Sequence, residues 1–100
     1  MNPRLYLDVD PRTLYVPTSF LSGADPFKLQ RQIALHGHST KGMQPLLVDR
    51  GADGGLVISD GVTRATRVAK LLPGTLIRVE VMEDIPGNVR HLPTIGDFIP

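Results

Sequence analysis

Cysteine is absent from the 100-residue sequence. Its absence excludes disulfide bonds, thiolate metal ligands, thiol nucleophiles and redox chemistry at sulfur. Long apolar runs are missing too, since none approaches the roughly 20 residues that span a bilayer. The opening residues, MNPRLYLDVDPRT, also lack the apolar stretch of a secretory signal peptide. We therefore expect a cytoplasmic protein with no membrane segment.

A strong charge of either sign is also lacking. Eleven Lys and Arg residues stand against ten Asp and Glu residues, for a formal net charge of +1. Contact with nucleic acid stays open as a function, but the overall charge does not indicate it. Any affinity for phosphate must come from the local placement of basic residues. The 41% hydrophobic content favours a folded domain.

Hydrophobic periodicity predicts strands and helices in a mixed order. The first helix is expected to start at Pro26, with Asp25 as its N-cap, and to stop at Gly37. The second is expected from Thr63 to Leu72, with apolar residues at i, i+3, i+4 and i+7. Extended segments are predicted at residues 4–10, 13–17, 43–50, 56–60 and 75–83, and the third and fourth of these form a hairpin.

These elements define an α+β fold, a single compact domain with a small mixed sheet and two main helices. We assign residues 1–84 to the domain. Residues 85–100 are rich in Pro and Gly. We expect this C-terminal tail to pack on the domain or on a protein partner through Ile95, Phe98 and Ile99.

The junction at Asp60-Gly61 is the most informative local feature. A helix N-terminus presents unpaired N–H groups and the positive end of its dipole, so it is suited to binding an anion. Gly61 lets a ligand approach the backbone, and Arg64 lies one turn into the helix. Thr63 and Arg67 are placed to assist. The alternative is that Asp60 caps the helix, Gly61 turns the chain and both arginines lie on a solvated face.

Two motifs around this junction resemble the ParB/sulfiredoxin-like superfamily. Members share a loop ending in Gly-x-x-Gln-Pro-apolar-apolar-Val, then a hairpin, then a helix that starts Gly-x-x-Arg. The corresponding segments are KGMQPLLVD and ISDGVTRATRVAKLLPGTLIRVEV, and the similarity extends over residues 25–81. The start Asp-Gly-x-x-Arg also looks like the DGQHR proteins associated with DNA modification systems.

The resemblance implies a ParB/sulfiredoxin-like fold with a cleft for the phosphates of a nucleotide. Gly61 and Arg64 match the glycine and the final arginine of the helix motif. Thr63 takes the place of the first arginine of the ParB pair, and Val62 that of the acidic ParB residue or the sulfiredoxin cysteine. Gln44 belongs to the loop that packs near the base and sugar in relatives.

Departures from the family pattern limit what the resemblance implies. Gly42 lies two residues before Gln44 instead of three. The lack of cysteine excludes sulfinic-acid reduction of the sulfiredoxin type. Val62 and Thr63 make hydrolysis a weaker expectation than binding. No helix-turn-helix region follows in these 100 residues, so the operator-reading part of a partition protein is not expected.

Further candidates lie close to the same cleft. His36 and His38, near the end of the first helix, are typical of polar loop residues, and the functional alternative is that one of them faces the cleft as a general base or a hydrogen-bond donor to phosphate. Lys41 is placed to contact phosphate. Asp60 could hold a Mg²⁺ ion bound together with a nucleoside triphosphate, with helix capping as the alternative.

Two functions follow from these observations. The first is a nucleotide- or phosphate-binding domain, with hydrolysis of a nucleotide or of a nucleic-acid phosphodiester left open. The second is a non-catalytic interaction module that kept the fold.

Overall fold

A four-stranded mixed sheet is the main element of the computed structural model, which describes residues 4–20 and 22–99. Its strands are β1 (Leu5–Val9), β2 (Leu46–Arg50), β3 (Leu56–Asp60) and β4 (Ile77–Asp84). They lie in the order β1-β4-β2-β3. β4 pairs antiparallel with β1 and parallel with β2, and β2 pairs antiparallel with β3. The mixed sheet and the hairpin between β2 and β3 confirm the predicted α+β class.

Two helices complete the architecture: α1 (Pro26–His36) and α2 (Val62–Leu71). The side chain of Asp25 caps α1 by accepting from the backbone N–H groups of Phe27 and Lys28 at 2.8 and 3.2 Å. Gly37 ends this helix at φ +51°. Both predicted boundaries of α1 are therefore confirmed. In residues 4–20 and 22–99, neither helix combines the length and the apolar character needed to cross a membrane.

α2 connects β3 to β4 and covers one face of the sheet. Its apolar side, with Val62, Ala65, Val68 and Ala69, packs against buried strand residues. Those strand residues are Leu46, Val48, Ile58, Ile77 and Val79. α1 lies outside this core: it packs on α2 and contains no buried residue. The space between the two helices therefore opens to solvent.

The segment at residues 13–17 differs from the predicted second strand. Pro11–Thr13 forms a 3-10 turn, and Tyr15 makes isolated bridges instead of a strand. Its N–H donates to the carbonyl of Leu56 at 2.8 Å, and its carbonyl accepts from Ile58 at 2.9 Å. Leu14 and Val16 point into the core. The segment is extended as expected, but Pro17 prevents longer pairing.

The C-terminal segment joins the same core. Ile95 is 1% exposed and belongs to the hydrophobic cluster that contains Leu14 and Val68. Its N–H donates to the carbonyl of Leu14 at 2.9 Å. Phe98 and Ile99 pack against that cluster while partly exposed. Ile95 is therefore not available as a contact for a protein partner.

Candidate anion-binding site

The start of α2 carries no side-chain cap. Gly61 is the N-cap residue, with φ +122° and ψ +19°, and no side chain accepts from the first turn. The first backbone N–H groups of an α-helix have no acceptor inside the helix. Asp60 does not cap α2, contrary to the alternative drawn from the sequence, because its carboxylate bonds to Arg64 at 3.2 Å. The helix start is thus left to solvent or to a ligand.

Glycine at position 61 is required by the geometry of the junction. Its φ lies in a region that side chains rarely adopt. A Cβ built there would also lie 2.5 Å from Cγ of Leu46, whose side chain is fully buried. Glycine therefore allows the chain to pass close to Leu46 of β2 where α2 begins.

Arg64 is positioned by two contacts. Nη1 donates to the carbonyl oxygen of Gln44 at 2.8 Å, and Nη2 donates to Asp60. The Arg64 side chain is 20% exposed, while that of Asp60 is 69% exposed. A guanidinium has five N–H donors, so these two contacts leave others for a ligand. Gln44 takes part through its backbone.

Arg64 lies between two depressions in the surface. The helix-start cleft, bordered by Lys28, Arg31, Gly61, Thr63 and Arg64, encloses about 400 Å³. This volume lies within the usual range of small-molecule sites, about 300–1,000 Å³. Three cations border the cleft, and the carboxylates of Asp25 and Asp60 at its edge already have hydrogen-bond partners.

The second depression, the loop cleft, is smaller. It encloses about 180 Å³ between the end of α1 and the loop at residues 39–44. Residues on its border include His36, Ser39, Lys41, Gln44, Arg64 and Arg67. No carboxylate borders it among the described residues. Its lining is thus cationic and polar, and it shares Arg64 and Gln32 with the helix-start cleft.

Arg67 holds the loop beside this cleft. The residue is 1% exposed, and Nη1 donates to the carbonyls of Gly37 and Ser39 at 2.8 and 2.9 Å. Burial lowers the pKa of the guanidinium, because desolvation disfavours the charged form. Nε is buried and has no hydrogen-bond partner. Arg67 therefore does not lie on a solvated face, as the alternative drawn from the sequence had it, and its Nη1 group serves the fold.

His36 and His38 differ in their position relative to the two clefts. His36 borders the loop cleft with Lys41, whereas His38 borders neither cleft. Thr63 borders the helix-start cleft, so it does not share one depression with His36 and Lys41. The hydroxyl of Thr66 donates to the carbonyl of Val62 at 2.7 Å and is unavailable.

A metal site at Asp60 gains no support from its surroundings. Over residues 4–20 and 22–99, no group of three or more His, Asp or Glu side chains is placed to hold a metal ion. Asp60 itself is engaged by Arg64. A Mg²⁺ ion at this position would therefore depend on ligands from a bound phosphate.

Sequence reasoning missed the contribution of α1. Lys28, Arg31 and Gln32 border the helix-start cleft. Their spacing of i, i+3 and i+4 places them on one side of a helix, which is the signal that was available. The sequence does not reveal which neighbour that side faces. Here it faces the start of α2.

Comparisons with known proteins leave the family open. A scan against protein-family models and a search of curated proteins both find no match. The resemblance to the ParB/sulfiredoxin-like superfamily therefore stays a prediction drawn from the two motifs.

Proposed function

We propose that this chain binds a phosphate-bearing ligand of the nucleotide class, with a phosphate group at the start of α2. The observation that carries the proposal is the uncapped helix start at Gly61, which opens into a cleft bordered by Lys28, Arg31 and Arg64. Unpaired N–H groups, the helix dipole and nearby guanidinium groups all favour a phosphate at this position.

A second feature supports the same ligand class. The cationic loop cleft adjoins the helix-start cleft through Arg64, and the unpartnered Nε belongs to Arg67 on its border. An anionic group placed between the two clefts meets positive charge on both sides. This arrangement favours a ligand with more than one negative charge over a neutral one.

Binding is a stronger proposal than hydrolysis. Val62 is buried at the position where ParB relatives carry an acidic residue. His36 is the better candidate for a base, since it borders the loop cleft and His38 borders neither cleft. If this site hydrolyses a nucleotide, the His36→Ala variant should release phosphate more slowly than the wild type.

Titration with a nucleoside triphosphate and with pyrophosphate, each with and without Mg²⁺, tests the proposal by calorimetry. We expect Arg64→Ala to raise Kd about 10- to 100-fold, since a hydrogen bond to a charged group contributes about 1.5–3 kcal/mol. Arg64→Lys should be intermediate because it keeps the charge and loses the planar fork. Lys70→Ala is the matched control, because Lys70 lies on the same helix, carries the same charge, is exposed and borders neither cleft. Absent binding in the wild type, or equal Kd in Arg64→Ala, would overturn the proposal.

A non-catalytic interaction module is the second candidate. The observation that favours it is α1, where Phe27 is 87% exposed and Leu35 is 68% exposed. Such apolar exposure is typical of contact surfaces. This candidate predicts that the wild type binds none of the phosphate ligands, so the same titration separates the two.

A further inference from the structure

The two edges of the sheet differ in how they are protected. At β3 the extended segment around Tyr15 covers part of the outer edge, with backbone hydrogen bonds to Leu56 and Ile58. At β1, no described segment pairs with the outer edge. An open strand edge presents unpaired N–H and C=O groups that another chain can complete.

β1 also lacks several of the devices that protect strand edges, and Asp8 is the charged residue within it. It contains no proline and no lysine. Its pairing with β4 runs from Leu5↔Val81 to Val9↔Ile77 without a register shift, whereas both other strand pairs contain one. A regular strand of this kind is a template for another strand.

We propose that β1 pairs antiparallel with β1 of a second copy of this chain, on a two-fold axis at Tyr6. Residues 4–8 read Arg-Leu-Tyr-Leu-Asp. Antiparallel pairing about Tyr6 sets Arg4 of one copy opposite Asp8 of the other, and Leu5 opposite Leu7. The stretch is complementary to itself in this register, as a two-fold interface requires.

Charge on the outer face of the sheet supports this register. The side chains of Arg4 and Asp8 are 73% and 55% exposed. Within its own chain Arg4 makes two long contacts: Nε lies 4.0 Å from the carboxylate of Glu80, and Nη1 donates to the hydroxyl of Tyr6 at 3.4 Å. Asp8 bonds to Arg78 at 3.3 Å. In the proposed pairing, Asp8 therefore lies between Arg78 of its own chain and Arg4 of the second copy, so that the charges alternate in sign across the sheet. Opposite charges on facing strands stabilise such pairs.

Apolar side chains on the inner face support the same partner. Leu5 is 38% exposed, and Leu7 and Val81 are half-buried at the margin of the core. Facing leucines from a second copy would cover this margin. Burial of apolar surface at about 25 cal/mol per Å² adds to the backbone hydrogen bonds of the new strand pair.

The proposed interface is independent of the anion site. β1 and β3 are the opposite edges of the sheet, and both clefts lie near the start of α2, which follows β3. No residue from 4 to 8 borders either cleft. Failure of dimerisation would leave the proposed ligand binding unaffected, and the reverse also holds.

Sedimentation equilibrium with charge-reversed variants tests the proposal. The wild type should dimerise with concentration. Arg4→Asp and Asp8→Arg should each weaken self-association at least tenfold, because each puts like charges opposite one another. An equimolar mixture of the two variants should recover dimers, since every facing pair is then opposite in charge. Lys70→Asp is the control and should match the wild type.

A cross-link tests the register of the proposed pairing directly. The chain has no cysteine, so Tyr6→Cys introduces a single thiol where the proposed axis brings two Cβ atoms within about 5.5 Å. Mild oxidation should convert this variant to a covalent dimer, and Lys70→Cys, at an exposed position outside the proposed interface, should convert far more slowly. A wild type that stays monomeric at millimolar concentration, a mixture no better than its components, or equal cross-linking at both positions would overturn the proposal.

Discussion

Arg64 is held in place before any ligand arrives, by a carbonyl on one side and a carboxylate on the other. The carbonyl of Gln44 fixes the direction of the guanidinium, while Asp60 neutralises part of its charge. An incoming phosphate could use the remaining donors of Arg64, but the negative charge of Asp60 would repel it. Asp60 is therefore expected to oppose anion binding, in contrast to the metal-binding role considered from the sequence.

Replacement of Asp60 tests this repulsion. Asp60→Asn should lower the Kd for pyrophosphate about two- to fivefold, because an exposed ion pair contributes about 0.2–1 kcal/mol and its loss frees Arg64. Calorimetry with and without Mg²⁺ measures the effect. If Asp60 holds a metal ion, the substitution should instead raise Kd, and only when Mg²⁺ is present.

Arg67 has a structural role that follows from its burial. Arg67→Ala should lower the free energy of unfolding by about 2–4 kcal/mol, because the carbonyls of Gly37 and Ser39 lose a charged donor in a buried setting. Urea unfolding measures the change. Lys70→Ala on the exposed side of α2 should stay within about 0.5 kcal/mol of the wild type. Equal stability of the two variants would contradict this role.

At the scale of elements, the hairpin turn and the segment after β4 are joined by one carboxylate. Asp53 accepts from the backbone N–H groups of Val89 and Arg90 at 2.9 and 2.8 Å through Oδ2. Its Oδ1 accepts from Gly55 at 3.2 Å. These bonds, that from Arg90 foremost, hold the pKa of Asp53 below its ordinary value. The turn therefore anchors the chain after β4.

This anchor predicts a dependence of stability on pH. A carboxyl whose pKa is lowered in the folded state stabilises the fold above its unfolded pKa, about 3.9, and this stabilisation disappears as the pH falls through the folded value. The wild type should therefore unfold at higher urea than Asp53→Asn at pH 6, and the difference should narrow below pH 4. Glu83→Gln removes an exposed carboxylate on β4 as the control. A constant difference between pH 6 and pH 2.5 would contradict the anchor.

At the scale of the whole molecule, local patterns predicted most elements but not their arrangement. Alternating apolar residues identified β1 and β4, and Asp25, Pro26 and Gly37 marked the ends of α1. The 3-10 turn at Pro11–Thr13 and the bridges at Tyr15 depend on contacts with β3 and the C-terminal segment. Such distant contacts leave no periodic signal in the sequence.

Only part of the candidate site was predicted, because the remainder depends on contacts between distant elements. Gly61 and Arg64 were identifiable because turn geometry and helix position are local properties. Lys28 and Arg31 were missed, since their role depends on how α1 packs beside α2. The burial of Arg67 was also hidden, because a basic residue in a helix ordinarily indicates a solvated face.

The most direct test of the central claim is amide NMR of the wild-type chain during titration with a nucleoside triphosphate. Bound phosphate should shift the backbone amides of residues 61–64 most strongly, since their N–H groups have no acceptor within α2, whereas Ala65 already donates to the carbonyl of Gly61 at 2.9 Å. Smaller saturable shifts are expected at residues 28–32 on the facing side of α1. No saturable shift at residues 61–64, or the largest shifts elsewhere in the chain, would contradict the account.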